Sequence, residues 1–89
     1  MSKSFELSIV TPEKVVYEGA VTSLIVPAGT GYLGVLADHA PLVATLTSGK
    51  ITVREESGRS FISHYRGEGF LRVLANHVNL ILDQEFLLA

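Results

Sequence analysis

Residues 24–41 read LIVPAGTGYLGVLADHAP, and two folds compete for them. Gly29, Gly31 and Gly34 form a G-x-G-x-x-G directly after the apolar run Leu24-Ile25-Val26, which is the spacing of a dinucleotide-binding turn. That turn needs a helix behind it, because the helix N-terminus supplies the amides and the dipole that hold a pyrophosphate. Here Pro41 falls seven residues after Gly34, in the second turn of any such helix, where proline costs about 3 kcal/mol. No amphipathic stripe follows, and Pro27 interrupts the junction of strand and turn. Glu55 lies at the distance of a ribose contact but falls in a hairpin loop, not at the end of a parallel strand. The glycines read instead as reversal points between strands. Residues 28–31 are expected to form a tight exposed loop, and Gly34 a bulge or a close backbone approach. Tyr32 is placed in this loop, as an anchor for a protein partner or as a ring packed over the sheet end.

Outward from this stretch the apolar period is two. Phe5, Leu7 and Ile9 alternate with Glu6 and Ser8; Leu42, Ala44 and Leu46 with Val43, Thr45 and Thr47; Ile51 and Val53 with Lys50, Thr52 and Arg54; Phe61, Ser63 and Tyr65 with Ile62, His64 and Arg66. Val15-Val16-Tyr17 follows a turn at 11–13, and the β-branched run 20–26 closes at Pro27. Ser48-Gly49 makes a turn, residues 55–59 a hairpin loop with a solvated tip, Gly67-Glu68-Gly69 a break, and Ala75-Asn76-His77 a second hairpin. The pattern predicts about eight to ten short strands and an all-β sandwich or barrel, one domain over residues 1–89.

The chain has 89 residues, no cysteine and a net charge of −2. There is thus no disulfide framework or thiolate metal site, and no charge bias toward nucleic acid or acidic lipid. No apolar stretch approaches the roughly 18 residues of a membrane span, and the N-terminus lacks a signal-peptide core. Yet 47% of the residues are hydrophobic and the mean hydropathy is +0.36, which is apolar for so small a domain. Several strands are apolar on both faces: Leu24-Ile25-Val26, Val73-Leu74 and Leu80-Ile81-Leu82. So is the terminal run Phe86-Leu87-Leu88. Two readings follow: a sandwich with mixed outer faces, or one outer face that docks onto another protein.

No catalytic, cofactor-binding or metal-binding residues are assigned. Asp38 and His39 are adjacent on an extended chain and point to opposite faces, so they do not make an acid–histidine pair. His39, His64 and His77 lie far apart without ligand spacing. His39 is expected to hydrogen-bond neighbouring backbone and fix the turn before Pro41. No basic stripe interleaves with aromatics as single-stranded nucleic acid requires.

At this point the residues resemble a known family. Gly31-Tyr32-Leu33-Gly34-Val35-Leu36-Ala37-Asp38-His39-Ala40-Pro41-Leu42 is similar to the G-x-L-G-x-x-P-x-H-A-P-L segment of the epsilon subunit of F-type ATP synthases. The opening strand 5–12, the step 46–51 and the hairpin 69–83 agree in order. The resemblance implies a flattened antiparallel β-sandwich of about ten short strands. It implies a non-catalytic rotor subunit of the central stalk, peripheral on the cytoplasmic face of an energy-transducing membrane, which links gamma to the c-ring and couples proton flow to ATP synthesis. Ala28, Gly29, Thr30, Gly31 and Tyr32 would face the c-ring; His39, Ala40, Pro41 and Leu42 would lie near gamma. A stand-alone sandwich that binds a peptide or a carbohydrate is the alternative. Ala37 replaces the family's usual proline, and Glu68 and Arg72 stand where glycine and an acidic residue are usual. The chain stops at Ala89, before the helical hairpin of about 40 residues, enough for two ordinary helices, with which most members brake ATP hydrolysis. The reading is therefore a short form, with weak or no inhibition expected.

Overall fold

The computed structural model describes residues 3–29 and 31–88. Among the described residues eight strands form: β1 Phe5–Val10, β2 Val15–Ala28, β3 Gly31–Leu36, β4 Leu42–Leu46, β5 Gly49–Glu55, β6 Ser60–Tyr65, β7 Gly69–Leu74 and β8 His77–Leu82. The described residues contain no helix, and so none long and apolar enough to cross a membrane. Hydrogen bonding runs β1-β8-β7-β4-β2-β5-β6, with β3 on β2 and β1 also on β2. β2 thus belongs to both halves of a sheet folded over on itself as a sandwich.

The all-β reading holds, with three corrections. First, among the described residues the strands number eight, within the eight to ten read from the alternation and short of the ten that the resemblance implies; the expected strands at 15–17 and 20–26 are one strand of 14 residues. Its first half pairs with β1 (Phe5↔Val21, Ile9↔Tyr17) and its second with β5 and β3. The register against β5 slips between Val21 and Ser23. This bulge shifts the buried positions from Val21 to Leu24 and Val26, which a strict period of two forbids. Second, β1 and β8 pair in parallel, so the sheet is not wholly antiparallel. Third, Pro27 does not close its strand. It lies buried within β2 opposite Tyr32, and its carbonyl accepts the Thr47 amide at 3.0 Å.

The core is one cluster fed by every strand, with Leu7, Ile9, Leu24, Val26, Ile51, Val53, Leu71 and Leu80 all but sealed from water. Strands β1, β5 and β7 keep the alternation read from the sequence. At about 25 cal/mol per Å² of apolar area, each such side chain adds about 1.5–3 kcal/mol to folding. The terminal apolar run is partly covered from within. Phe86 is buried with its ring edge-on to Tyr65 at 5.7 Å, Leu88 packs on the core, and Leu87 stays exposed.

The 55–59 hairpin forms as expected, with Gly58 amide to Glu55 carbonyl at 2.9 Å, but its base is not simply solvated. Glu55 is half-buried and accepts the Tyr17 hydroxyl at 2.6 Å. Phe61 meets Tyr17 edge-on at 5.9 Å, and the Arg59 guanidinium lies 5.2 Å from the Phe61 ring centre. Burial first, then the Glu55 carboxylate, pushes the Tyr17 hydroxyl far above its ordinary range.

The β7–β8 hairpin turns on Ala75 and Asn76, both left-handed at φ 49° and 62°. Two left-handed central residues match the strand twist, but alanine bears a steric cost there that asparagine or glycine avoids. Ala75→Asn is expected to stabilise the domain by about 1 kcal/mol, read as a melting temperature higher by roughly 4–8 °C. An unchanged or lower midpoint would contradict this turn assignment.

Candidate interaction surface

The two groups of expected interface residues occupy opposite ends of β4. At one end β2 turns into β3, with Ala28 opposite Gly31 and also opposite Leu46, the last residue of β4. Thr30 lies outside the described residues. Gly31 takes φ 144°, a glycine conformation, with open space about it. Tyr32 is not in the loop but in β3, 60% exposed. Its hydroxyl accepts the Lys50 amide at 3.2 Å. The ring therefore lies over the start of β5 and still presents its face outward. Gly34 is neither a bulge nor a close approach. It stands opposite Ile25 in unbroken register, with nothing within 4 Å of where a side chain would go. With β3 a strand and no helix behind it, the G-x-G-x-x-G lacks the helix N-terminus that phosphate binding needs.

At the other end, His39, Ala40 and Pro41 lead into Leu42 at the head of β4. His39 Nδ1 lies 2.7 Å from the Ala40 carbonyl, so the ring donates to its own turn as expected. Asp38 makes its hydrogen bonds elsewhere. With φ 64°, Asp38 accepts from Asn76 Nδ2 at 3.0 Å, while its amide donates to Asn76 Oδ1 at 2.6 Å. The Asn76 carbonyl accepts the Glu6 amide at 2.9 Å. Asn76 thus ties the β3–β4 turn to the β7–β8 turn and to β1. Lys3 adds an ion pair to Asp38 at 2.9 Å, exposed and so of small weight. The Asn76 hydrogen bond, then Lys3, holds the Asp38 carboxyl below its usual range.

Between these ends lies a surface whose place no single motif signals. Strands β4, β7 and β8 send alternate residues outward, and the register aligns them in rows: Thr45, Phe70 and Ile81; then Val43, Arg72 and Asn79. Leu74 sits opposite His77 in the next row. Val43 is 70% exposed and Phe70 53%, and Leu74 and Ile81 are nearly half exposed. Side chains of this size crowded on one outward sheet face mark an interaction site, whereas scattered ones need no explanation. A shallow groove of about 430 Å³ ends this face, lined by Thr45, Thr47, Glu68, Phe70, Ile81 and Asp83. Two of the three double-sided apolar runs read from the sequence are thereby located: Leu74 and Ile81 face out here, while Val73, Leu80 and Leu82 face the core. In the third, Leu24 and Val26 are buried and Ile25 faces out elsewhere, opposite Gly34 and Thr52.

Among the described residues no group of three histidine or acidic side chains converges as a metal site, and no buried side-chain polar atom lacks a partner.

Residues 4–86 match the family described as ATP synthase, Delta/Epsilon chain, beta-sandwich domain. The chain is 43% identical over 77 residues to the ATP synthase epsilon chain of Leptospira borgpetersenii, a match covering 86% of this chain and 59% of that one. It is 41% identical over 83 residues to that of Solibacter usitatus, covering 93% and 60%. It therefore spans less than two thirds of the length of these relatives. In structure it is similar to a chain of the Euglena gracilis mitochondrial ATP synthase OSCP/F1/c-ring assembly, with a TM-score of 0.83 at 22% identity over 91% of this chain and 51% of that one; at that identity the likeness carries the fold alone.

Proposed function

Because the chain belongs to the ATP synthase delta/epsilon family through the β-sandwich domain that fills residues 4–86, we propose that it is a non-catalytic central-stalk subunit linking gamma to the membrane c-ring, and so coupling proton flow to ATP synthesis. The observation that carries this reading is the apolar face of β4, β7 and β8, where Val43, Phe70, Leu74 and Ile81 stand exposed together. Gamma docks on that face, with His39, Ala40, Pro41 and Leu42 at its margin. The c-ring meets the β2–β3 hairpin at Ala28, Gly29, Thr30, Gly31 and Tyr32. The domain acts as a rigid link, because its strands are cross-tied at both ends and its core is closed. It is held at the cytoplasmic face of the membrane through the complex.

Co-expression with the gamma subunit of the same source, followed by a sizing column, tests this. A one-to-one complex is expected; a chain eluting alone at micromolar concentration would leave the fold without this function. Tyr32→Ala is expected to weaken binding to c-ring membranes about tenfold or more, as for an exposed aromatic anchor, at a cost of about 1 kcal/mol in stability from the lost Lys50 hydrogen bond. Tyr32→Phe keeps the ring and should keep the membrane affinity. Equal affinity for wild type and Tyr32→Ala would remove the hairpin from the interface.

A further inference from the structure

Arg72 stands in the middle of the apolar face, and no carboxylate among the described residues forms an ion pair with it. On its own strand it lies between Phe70 and Leu74, and across the strands it faces Val43 on one side and Asn79 on the other. Beyond Asn79 the row runs through Ser8 of β1 to Glu18 of β2, three strands away from Arg72. The ion pair found among the described residues is Lys3–Asp38, at the far turn. An exposed guanidinium needs no partner. One covered by an apolar subunit loses its water, and a buried unpaired charge is costly.

We propose that the subunit docking on this face presents a carboxylate to Arg72, ringed by apolar side chains that cover Val43, Phe70, Leu74 and Ile81. This rests on the reading of that subunit as gamma. Charge complementarity sets the choice. A second copy of this chain is a poor occupant, since a two-fold contact through the centre of the face brings Arg72 against its own copy. The planar fork of arginine suits a carboxylate in two parallel hydrogen bonds. Such a pair at the centre of a dry patch fixes register and excludes wrong partners.

The test is calorimetric titration of the same-source gamma subunit into wild type, Arg72→Lys, Arg72→Met and Arg72→Glu, at low and at raised salt. Methionine retains the apolar stem and loses the charge. Arg72→Met is expected to bind at least about thirtyfold more weakly, and Arg72→Glu at least about a hundredfold, as when one member of a covered charge pair is removed or reversed. Arg72→Lys should fall between wild type and Arg72→Met, and salt should weaken wild type more than Arg72→Met. All three variants should melt within a few degrees of wild type, since the side chain is exposed. Arg72→Met binding as tightly as wild type overturns the proposal and leaves the gamma reading standing. Wild type failing to bind gamma overturns both, and a dimer of the chain that breaks on Arg72 substitution gives the face to a second copy instead.

Discussion

Gly69→Ala is expected to cost the domain about 3 kcal/mol or more, the upper end of overpacking in a closed core. Gly69 opens β7 in the middle of the sheet, paired to Leu46 of β4 on one side and Leu82 of β8 on the other. A Cβ there would run into the Ile81 carbonyl oxygen, with the Ile81 carbonyl carbon and Leu82 Cα each 3.2 Å away. These are backbone atoms of the neighbouring strand, so no side-chain rotation relieves the clash. β7 and β8 would have to part, loosening the Asp83–Glu68 backbone bond at 3.0 Å just beyond. An 89-residue domain has roughly 4–13 kcal/mol in hand, so the loss is a large share of it. The melting temperature should fall by more than about 10 °C. Gly34→Ala is the control: open space surrounds its position and its φ is ordinary. Alanine there should leave stability unchanged or raise it by up to about 1 kcal/mol through the unfolded chain. A wild-type midpoint for Gly69→Ala would refute the close approach.

These two glycines show where a sequence stops informing. Gly34 stands in the one conspicuous motif of the chain and does least; Gly69 stands in an unremarkable break and is fixed by a strand whose offending oxygen lies 12 residues on. Alternation was legible in β1, β5 and β7 because each lies flat with one face in the core. It failed in β2, where the bulge at Val21 to Ser23 changes which parity is buried. It failed again in β3, where only Val35 is buried and glycines mimic a loop. The surplus of apolar residues was legible, and part of it stands exposed on β4, β7 and β8. Which residues share that face was not. The neighbours Val43 and Arg72 meet only through the β4–β7 register, and register between distant strands is a property of the assembled sheet. Hydrogen bonds such as Tyr17 to Glu55, 38 residues apart, leave no local trace at all.

Tyr65→Phe is expected to cost about 2 kcal/mol at neutral pH, the scale of a hydrogen bond to a charged group together with the polar atoms it strands, and to lower the melting temperature by roughly 8–16 °C. Tyr65 is 2% exposed. Its hydroxyl lies 2.8 Å from both the Asp83 carboxylate and the Glu68 carbonyl, and accepts the amides of Asp83 at 3.0 Å and Gln84 at 3.1 Å. With a single proton to give, it favours the charged oxygen. Asp83 also accepts the Glu68 amide at 2.8 Å. One oxygen therefore fastens β6 to the chain leaving β8 and keeps Phe86 on the Tyr65 ring, at the end of the exposed β4–β7–β8 face where the groove opens. Phenylalanine keeps the ring contact and strands the polar groups, which isolates the hydroxyl's part. The pH dependence identifies the partner. The Glu68 amide, then the Tyr65 hydroxyl, holds the Asp83 carboxyl below its usual range. A lowered folded pKa contributes stability above the unfolded value of about 3.9 and loses it as pH falls through the folded one. Burial, then the hydrogen bond to Asp83, raises the Tyr65 hydroxyl; that contribution is complete below about pH 10 and fades as pH rises through the folded value. The phenylalanine variant has no hydroxyl proton to lose and gives Asp83 one donor fewer. The gap between wild type and Tyr65→Phe should thus be widest from about pH 5 to 9 and narrow on both sides. Asp38 titrates on the acid side in both proteins and cancels from the difference. Urea midpoints of the pair across this range measure the gap, and a gap that stays constant from about pH 3 to 11 would mean that the hydroxyl is not bonded to the carboxylate.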